Sequence, residues 1–137
     1  LGAEFHIPHG RANAILLPHV IEYNATAPTK FAAFPKYKSF VADKKYAEIA
    51  KSLGLKSDTV EEGVQSLIQA IRNLMRELNM PMSVQECGIS EVEYFESLDR
   101  LSLEAFDDQC TGANPRLPLV SELKEIKEKI YAVKRNK

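Results

Sequence analysis

Apolar residues in this chain recur at steps of three and four, and nowhere do they alternate for the length of a strand. That restricts the fold to packed helices. The clearest stretch carries Val60, Val64, Leu67, Ile68, Ile71, Leu74, Met75 and Leu78 on one helical face, with Asp58 and Glu61 spaced as a capping box and Pro81 as its stop. Before it, Asp43 is placed to cap a shorter helix whose Tyr46, Ile49, Ala50 and Leu53 share a face, and Gly54 stands at the usual terminating position. Ser83 and Glu86 fit a single turn ahead of Gly88. Ser90 and Glu93 then open a helix carrying Tyr94, Phe95, Leu98, Leu101, Ala105 and Phe106. After a loop from Cys110 to Pro118, the stripe Val120, Leu123, Ile126, Ile130 and Val133 marks a last helix, and its lysine-rich end suits the negative pole of a helix dipole.

The first helix of any length is of another kind. From Gly10 to about Tyr23 the residues Ala12, Ala14, Ile15, Leu16, Leu17, Val20 and Ile21 leave little polar face, which predicts an element enclosed by others. Pro18 removes one backbone donor inside it and predicts a bend over Ala14 to Pro18. Between Ala25 and Phe40, Pro28, Pro35 and four aromatic side chains predict an ordered loop rather than a long helix.

Charge and cysteine usage narrow the function classes. A net charge of -1 and a pI near 6.4 leave no basic footprint for nucleic acid. No window approaches the ~18 uninterrupted apolar residues of a membrane span, and the start lacks the layout of a secretory signal. Cys87 and Cys110 form neither a CxxC pair nor a disulfide framework, so a reducing, cytoplasmic setting is expected. The 137 residues suit one helical domain, 1–137, and the start at Leu1 without a methionine is compatible with a processed protein or with a piece of a longer chain.

The metal-competent residues concentrate at one end. His6, His9 and His19 all fall in the first nineteen residues, and no histidine follows. A metal site usually draws on three or four ligands, and a helix-borne pair is normally spaced by four. His6 and His9 flank Pro8 on extended chain, while His19 lies about 15 Å further along the helix at ~1.5 Å per residue. His6 and His9 need not converge, and His19 cannot share an ion with His9. Residue types alone leave each as a hydrogen-bonded side chain.

The segment PHGRANAILLPHVIEYN, Pro8 to Asn24, resembles the Pro-His-Gly signature of the iron-dependent alcohol dehydrogenases, whose histidine is a metal ligand. KFAAFPKYKSFVADKKYAEIAKSLGL is similar to the alcohol dehydrogenase half of bifunctional aldehyde-alcohol dehydrogenases, and CTGANPR matches that family's closing loop. The likeness covers all but about the last dozen residues. It implies an all-α, multi-helix bundle, the helical C-terminal portion of an iron-type alcohol dehydrogenase, with the NAD-binding N-terminal portion absent from this chain. It implies, too, that divalent iron is held by one aspartate and three histidines, of which only His9 lies here; His6 and His19 match no ligand position. Iron and zinc both accept such ligands, so iron follows from the resemblance.

In the parent enzyme so implied, the metal polarises an aldehyde carbonyl while hydride passes to or from the nicotinamide. The resemblance thus points to interconversion of acetaldehyde or similar short aldehydes with primary alcohols, with this chain inactive by itself, and to homo-oligomers. The family's loop cysteine approaches the substrate pocket, which makes Cys110 the corresponding residue here; a packing role is the alternative. Arg116 is expected to anchor that loop on backbone carbonyls. A reading of a different class takes the chain as a helical scaffold or subunit-assembly module, docking by exposed apolar surface and without catalysis of its own.

Overall fold

The computed structural model describes residues 1–28 and 40–132, and all regular structure among them is helical, as the periodicity requires. The elements are α1 (Gly2–Phe5), α2 (His9–Ala25), α3 (Ala42–Ser52), α4 (Val60–Glu77), α5 (Glu91–Asp107) and α6 (Val120–Tyr131), with single 3-10 turns at Gln85–Cys87 and Thr111–Ala113. No helix among the described residues is long and apolar enough to cross a membrane. The aromatic stretch expected as a loop falls largely, and Val133 wholly, outside the described residues.

Helices α3 and α4 form one closely packed pair and α5 and α6 another, while α2 runs between them against α3, α4 and α6. Two apolar clusters follow. One gathers Phe5, Ile7, Ala12, Ile15, Met75, Val84, Leu98 and Ile130 around Tyr94, whose ring stacks on Tyr131 with centroids 5.3 Å apart and meets Phe5 at 5.6 Å. The Tyr94 hydroxyl, fully buried, donates to the Lys127 carbonyl at 2.9 Å, so the polar tip is satisfied. The other cluster joins Ile21 of α2 to Ala50 of α3 and Val64, Leu67 and Ile68 of α4. Helices α2 and α4 feed both.

Enclosure of α2 is partial. Ala12, Ile15, Pro18, Ile21 and Asn24 are buried, whereas His9, Gly10, Asn13 and Leu17 face outward, Leu17 with 44% of its surface exposed. The neighbours cover one stripe, and a uniformly apolar sequence cannot say which stripe that is. The helix runs through Pro18 without interruption to Ala25.

Two starts differ from the sequence expectation. Val41, not Asp43, precedes α3, and the Asp43 carboxylate accepts the Lys44 N–H within the first turn. In α4 the cap is shifted one residue on. Thr59 Oγ1 accepts the Glu62 N–H at 3.1 Å, and Glu62 reaches back to the Asp58 N–H at 2.9 Å while pairing with Lys56. On α3 Ala50 is buried as expected, but Ala42 and Ala47 join it in place of Ile49 and Leu53, which are exposed. The turn capped by Ser83 and Glu86 and the Ser90 cap of α5 form as expected, with Gly88 left-handed at φ 87°.

Gly63 explains the α3–α4 contact. A methyl group added there would stand 2.9 Å from Ala47 Cα and Cβ, closer than carbon atoms pack. Gly63→Ala should therefore destabilise the protein by about 1–3 kcal/mol through overpacking, despite alanine's roughly 1 kcal/mol advantage over glycine in a helix. Urea unfolding of the variant checks this, and a midpoint at or above the parent's would refute it.

Candidate functional site

His9 is the first residue of α2, and its place follows from what surrounds it in sequence. Pro8 fixes φ at -51° just ahead of the helix, its carbonyl accepting the N–H groups of Arg11 and Ala12 at 2.8 and 3.0 Å. Ile7 on one side and Ala12 on the other are buried, which anchors the backbone across the histidine. The His9 side chain stays exposed. One turn on, Asn13 Nδ2 lies 3.0 Å from His9 Nε2. Nothing lies within 4 Å of the position a Gly10 side chain would take, so this face is open.

The three histidines stay apart. His6 closes α1 in the left-handed conformation at φ 52° and is exposed. His19, half-buried on α2, has its pKa lowered, first by burial and then by the Arg72 charge, and its buried Nδ1 has no hydrogen-bond partner. Among the described residues, no three of the histidines, cysteines and carboxylates gather as a metal cage. The donor set present, one exposed imidazole, fits one position of a metal shell and no more.

Cys110 sits just after α5, exposed, with its N–H donated to Asp108 Oδ1 at 2.7 Å. The Asp108 carboxylate raises the thiol's pKa, by hydrogen bonding first and by charge second, so the sulfur is a protonated, weakly nucleophilic group. Two open grooves of about 510 and 520 Å³ are lined by neither Cys110 nor His9.

The loop after Cys110 is held far more firmly than the cysteine is. Its first half hangs on α5, where Thr111 Oγ1 donates to the Ala105 carbonyl at 2.6 Å. Its second half is tied to α2. Asn24, 3% exposed, and Asn114 exchange amide hydrogen bonds of 2.7 and 3.1 Å, and Asn114 donates again to the Arg116 carbonyl at 2.6 Å. Arg116, itself buried, donates from Nη1 to the Tyr23 and Thr26 carbonyls, both at 3.1 Å, and from Nη2 to Glu122 at 2.8 Å. Its guanidinium lies 4.0 Å from the Tyr23 ring centroid, and the Tyr23 hydroxyl donates to the other Glu122 oxygen at 2.9 Å. Glu122 meanwhile accepts the Leu119 N–H at 2.7 Å at the start of α6.

Arg116 thus anchors on backbone carbonyls as its donor fork suggests, and it also carries a buried ion pair. Asn24, Asn114 and Glu122 were not distinguished by sequence reasoning. Glu122 alone left a trace, standing three residues after Leu119 where a helix-opening carboxylate caps.

Comparison with known proteins bears on the fold and the family. Residues 1–131 match the C-terminal part of the Fe-containing alcohol dehydrogenase family. The aldehyde-alcohol dehydrogenase of Streptococcus pneumoniae is 48% identical over 131 residues, 96% of this chain and 15% of its own length. The bifunctional aldehyde-alcohol dehydrogenase of Escherichia coli is 50% identical over 129 residues, covering 92% of this chain and 14% of that protein. An NADPH-dependent butanol dehydrogenase of Clostridium saccharobutylicum is 40% identical over 130 residues, 95% of this chain and 30% of its own. Among solved structures, a 1,3-propanediol oxidoreductase superposes with a TM-score of 0.76 at 26% identity, over 96% of this chain and 30% of that one. The chain therefore spans about a seventh of the length of the aldehyde-alcohol dehydrogenases it matches. With an all-helical fold, a Pro-His-Gly helix start and a family match over nearly its whole length, this chain belongs to the Fe-containing alcohol dehydrogenase family, whose C-terminal part it matches.

Proposed function

We propose that this chain is the metal-side helical portion of an NAD-linked, iron-dependent alcohol dehydrogenase that interconverts acetaldehyde or similar short aldehydes with primary alcohols. The observation that carries this reading is His9. Its ring stands exposed on an open helix start, directly after Pro8 in the Pro-His-Gly segment. His9 is one ligand to iron(II), its partners being an aspartate and two histidines supplied by a nucleotide-binding portion outside these residues.

Iron held there would supply Lewis acidity to the carbonyl oxygen of an aldehyde as hydride is transferred. The residues of this chain do the positioning. Ile7 and Ala12 fix the backbone of His9, and the Asn13 side chain lies 3.0 Å from Nε2, so a metal bound at that nitrogen would displace it. The Cys110 loop forms part of the substrate pocket, where a protonated thiol offers a compact, weakly polar wall rather than a nucleophile. Both cysteines are free thiols, in keeping with a reducing cytoplasm.

A scaffold or homo-oligomer assembly role is favoured by a separate observation, the exposed side chains of Leu17, Ile49, Leu53 and Leu74. The two readings are compatible.

Metal analysis and NADH-dependent acetaldehyde reduction, run on the 137-residue chain and on the full-length protein containing it, test the proposal. The full-length protein should hold iron and turn over, and the chain alone should do neither. Stoichiometric iron with turnover from the chain alone would overturn the division of the site.

A further inference from the structure

His9 and Asn13 stand one turn apart on the outward face of α2, at the i, i+4 spacing that brings helical side chains together. Their contact, Asn13 Nδ2 to His9 Nε2 at 3.0 Å, is at hydrogen-bond distance. An imidazole nitrogen has a single in-plane site, holding either a lone pair or a proton. An amide that donates takes up the lone pair, and one turned to accept fixes a proton there, so in both orientations Nε2 is closed to a metal. We infer that Asn13 is a latch on the metal-ligating nitrogen of His9: its amide and a divalent ion compete for Nε2, and the competition sets how tightly the protein holds its metal. This rests on the reading of His9 as a ligand and adds that Nε2 is the atom it uses.

The setting of the pair suits a latch. Pro8, with φ at -51°, and the buried Ile7 and Ala12 hold the main chain on either side of His9, so its ring reorients only about its own side-chain bonds and stays within reach of Asn13. Both side chains are exposed, and nothing lies within 4 Å of the position a Gly10 side chain would take. The amide therefore has water to turn to, and an ion has room to approach. Competition of this kind has a defined size. An apparent dissociation constant equals the intrinsic one divided by the fraction of time the ring is free, and a hydrogen bond of ordinary net strength leaves it free for about a tenth to a third of the time.

The test uses the full-length protein, stripped of metal and titrated with Co(II) against a chelator of known affinity, with the visible absorption of bound Co(II) as the readout. Asn13→Ala should bind Co(II) about three- to tenfold more tightly than the parent. Asn13→Leu keeps the bulk without the amide and should do the same, which separates the hydrogen bond from simple crowding. Unchanged or weaker Co(II) binding in these variants, with helix content equal to the parent's by circular dichroism, would overturn the latch.

His9→Ala separates the latch from the ligand. It should weaken Co(II) binding, and in its background Asn13→Ala should change nothing further, because no ring remains to compete for. If His9→Ala leaves the Co(II) affinity untouched, the ligand reading fails and the latch with it. If it weakens binding while neither Asn13 variant tightens it, only the latch fails.

Discussion

Replacing His9 with alanine in the full-length enzyme should abolish iron retention and aldehyde reduction together. Loss of the ion's charge stabilisation removes several kcal/mol from the transition state, and at about 1.4 kcal/mol per factor of ten this lowers turnover by roughly 10³-fold or more. The fold should be spared. His9 is exposed and contributes one side-chain hydrogen bond, to Asn13, so the helix content of the variant should match the parent by circular dichroism. Asn13→Ala removes only the side-chain contact on Nε2 and leaves the imidazole in place, so it should retain iron where the His9 variant does not. Iron measured by elemental analysis and NADH consumption with acetaldehyde decide the matter; near-normal iron and turnover in the His9 variant would remove this residue from the metal shell.

Arg116→Ala should destabilise the protein more than Gly63→Ala does. The guanidinium and the Glu122 carboxylate are both largely buried, with 11% and 18% of their side-chain surfaces exposed. Removing one partner of such a pair typically costs about 3–5 kcal/mol, because the remaining charge loses its counter-ion in a poorly solvated place. The Tyr23 and Thr26 carbonyls lose their donor at the same time. On a slope of about 1–3 kcal/mol per molar urea, the unfolding midpoint should fall by about 1 M or more.

Arg116→Lys keeps the charge without the planar fork, so it should recover part of the loss. An exposed pair gives the contrast. Arg100 bridges Glu104 on α5 and Glu4 at the other end of the chain, yet stands half in solvent, where such pairs are worth little. Arg100→Ala should leave the midpoint unmoved. Equal effects at Arg100 and Arg116 would show that burial is not what makes the Arg116 pair matter.

The helices were legible because a 3.6-residue period is a local property. Val64, Leu67, Ile68 and Met75 are buried on α4 as their spacing predicts, and Tyr94, Leu98 and Leu101 likewise on α5. Helix starts were less so. Asp58-x-x-Glu61 and Thr59-x-x-Glu62 are equivalent boxes in sequence, and the second forms in a structure where Lys56 pairs with Glu62 and Gly63 faces Ala47 at close approach. Neither contact has a signature in the residues before the helix.

The same division runs through the site. Spacing alone separated His9 from His6 and His19, and the structure keeps them apart. The apolar run from Ala12 to Ile21 required a packed helix but not a direction, since only the neighbours α3, α4 and α6 decide that Ile15 points inward and Leu17 outward. Asn24 shows the limit most plainly. A buried amide needs partners, and its partner Asn114 is ninety residues away, so no local pattern could name it. What the sequence determined is therefore what one turn of helix can sense: period, caps, and the place of His9 at a helix start. What the tertiary structure decided is which polar groups meet across long loops, because only the packing of whole helices brings such distant donors and acceptors within hydrogen-bond reach.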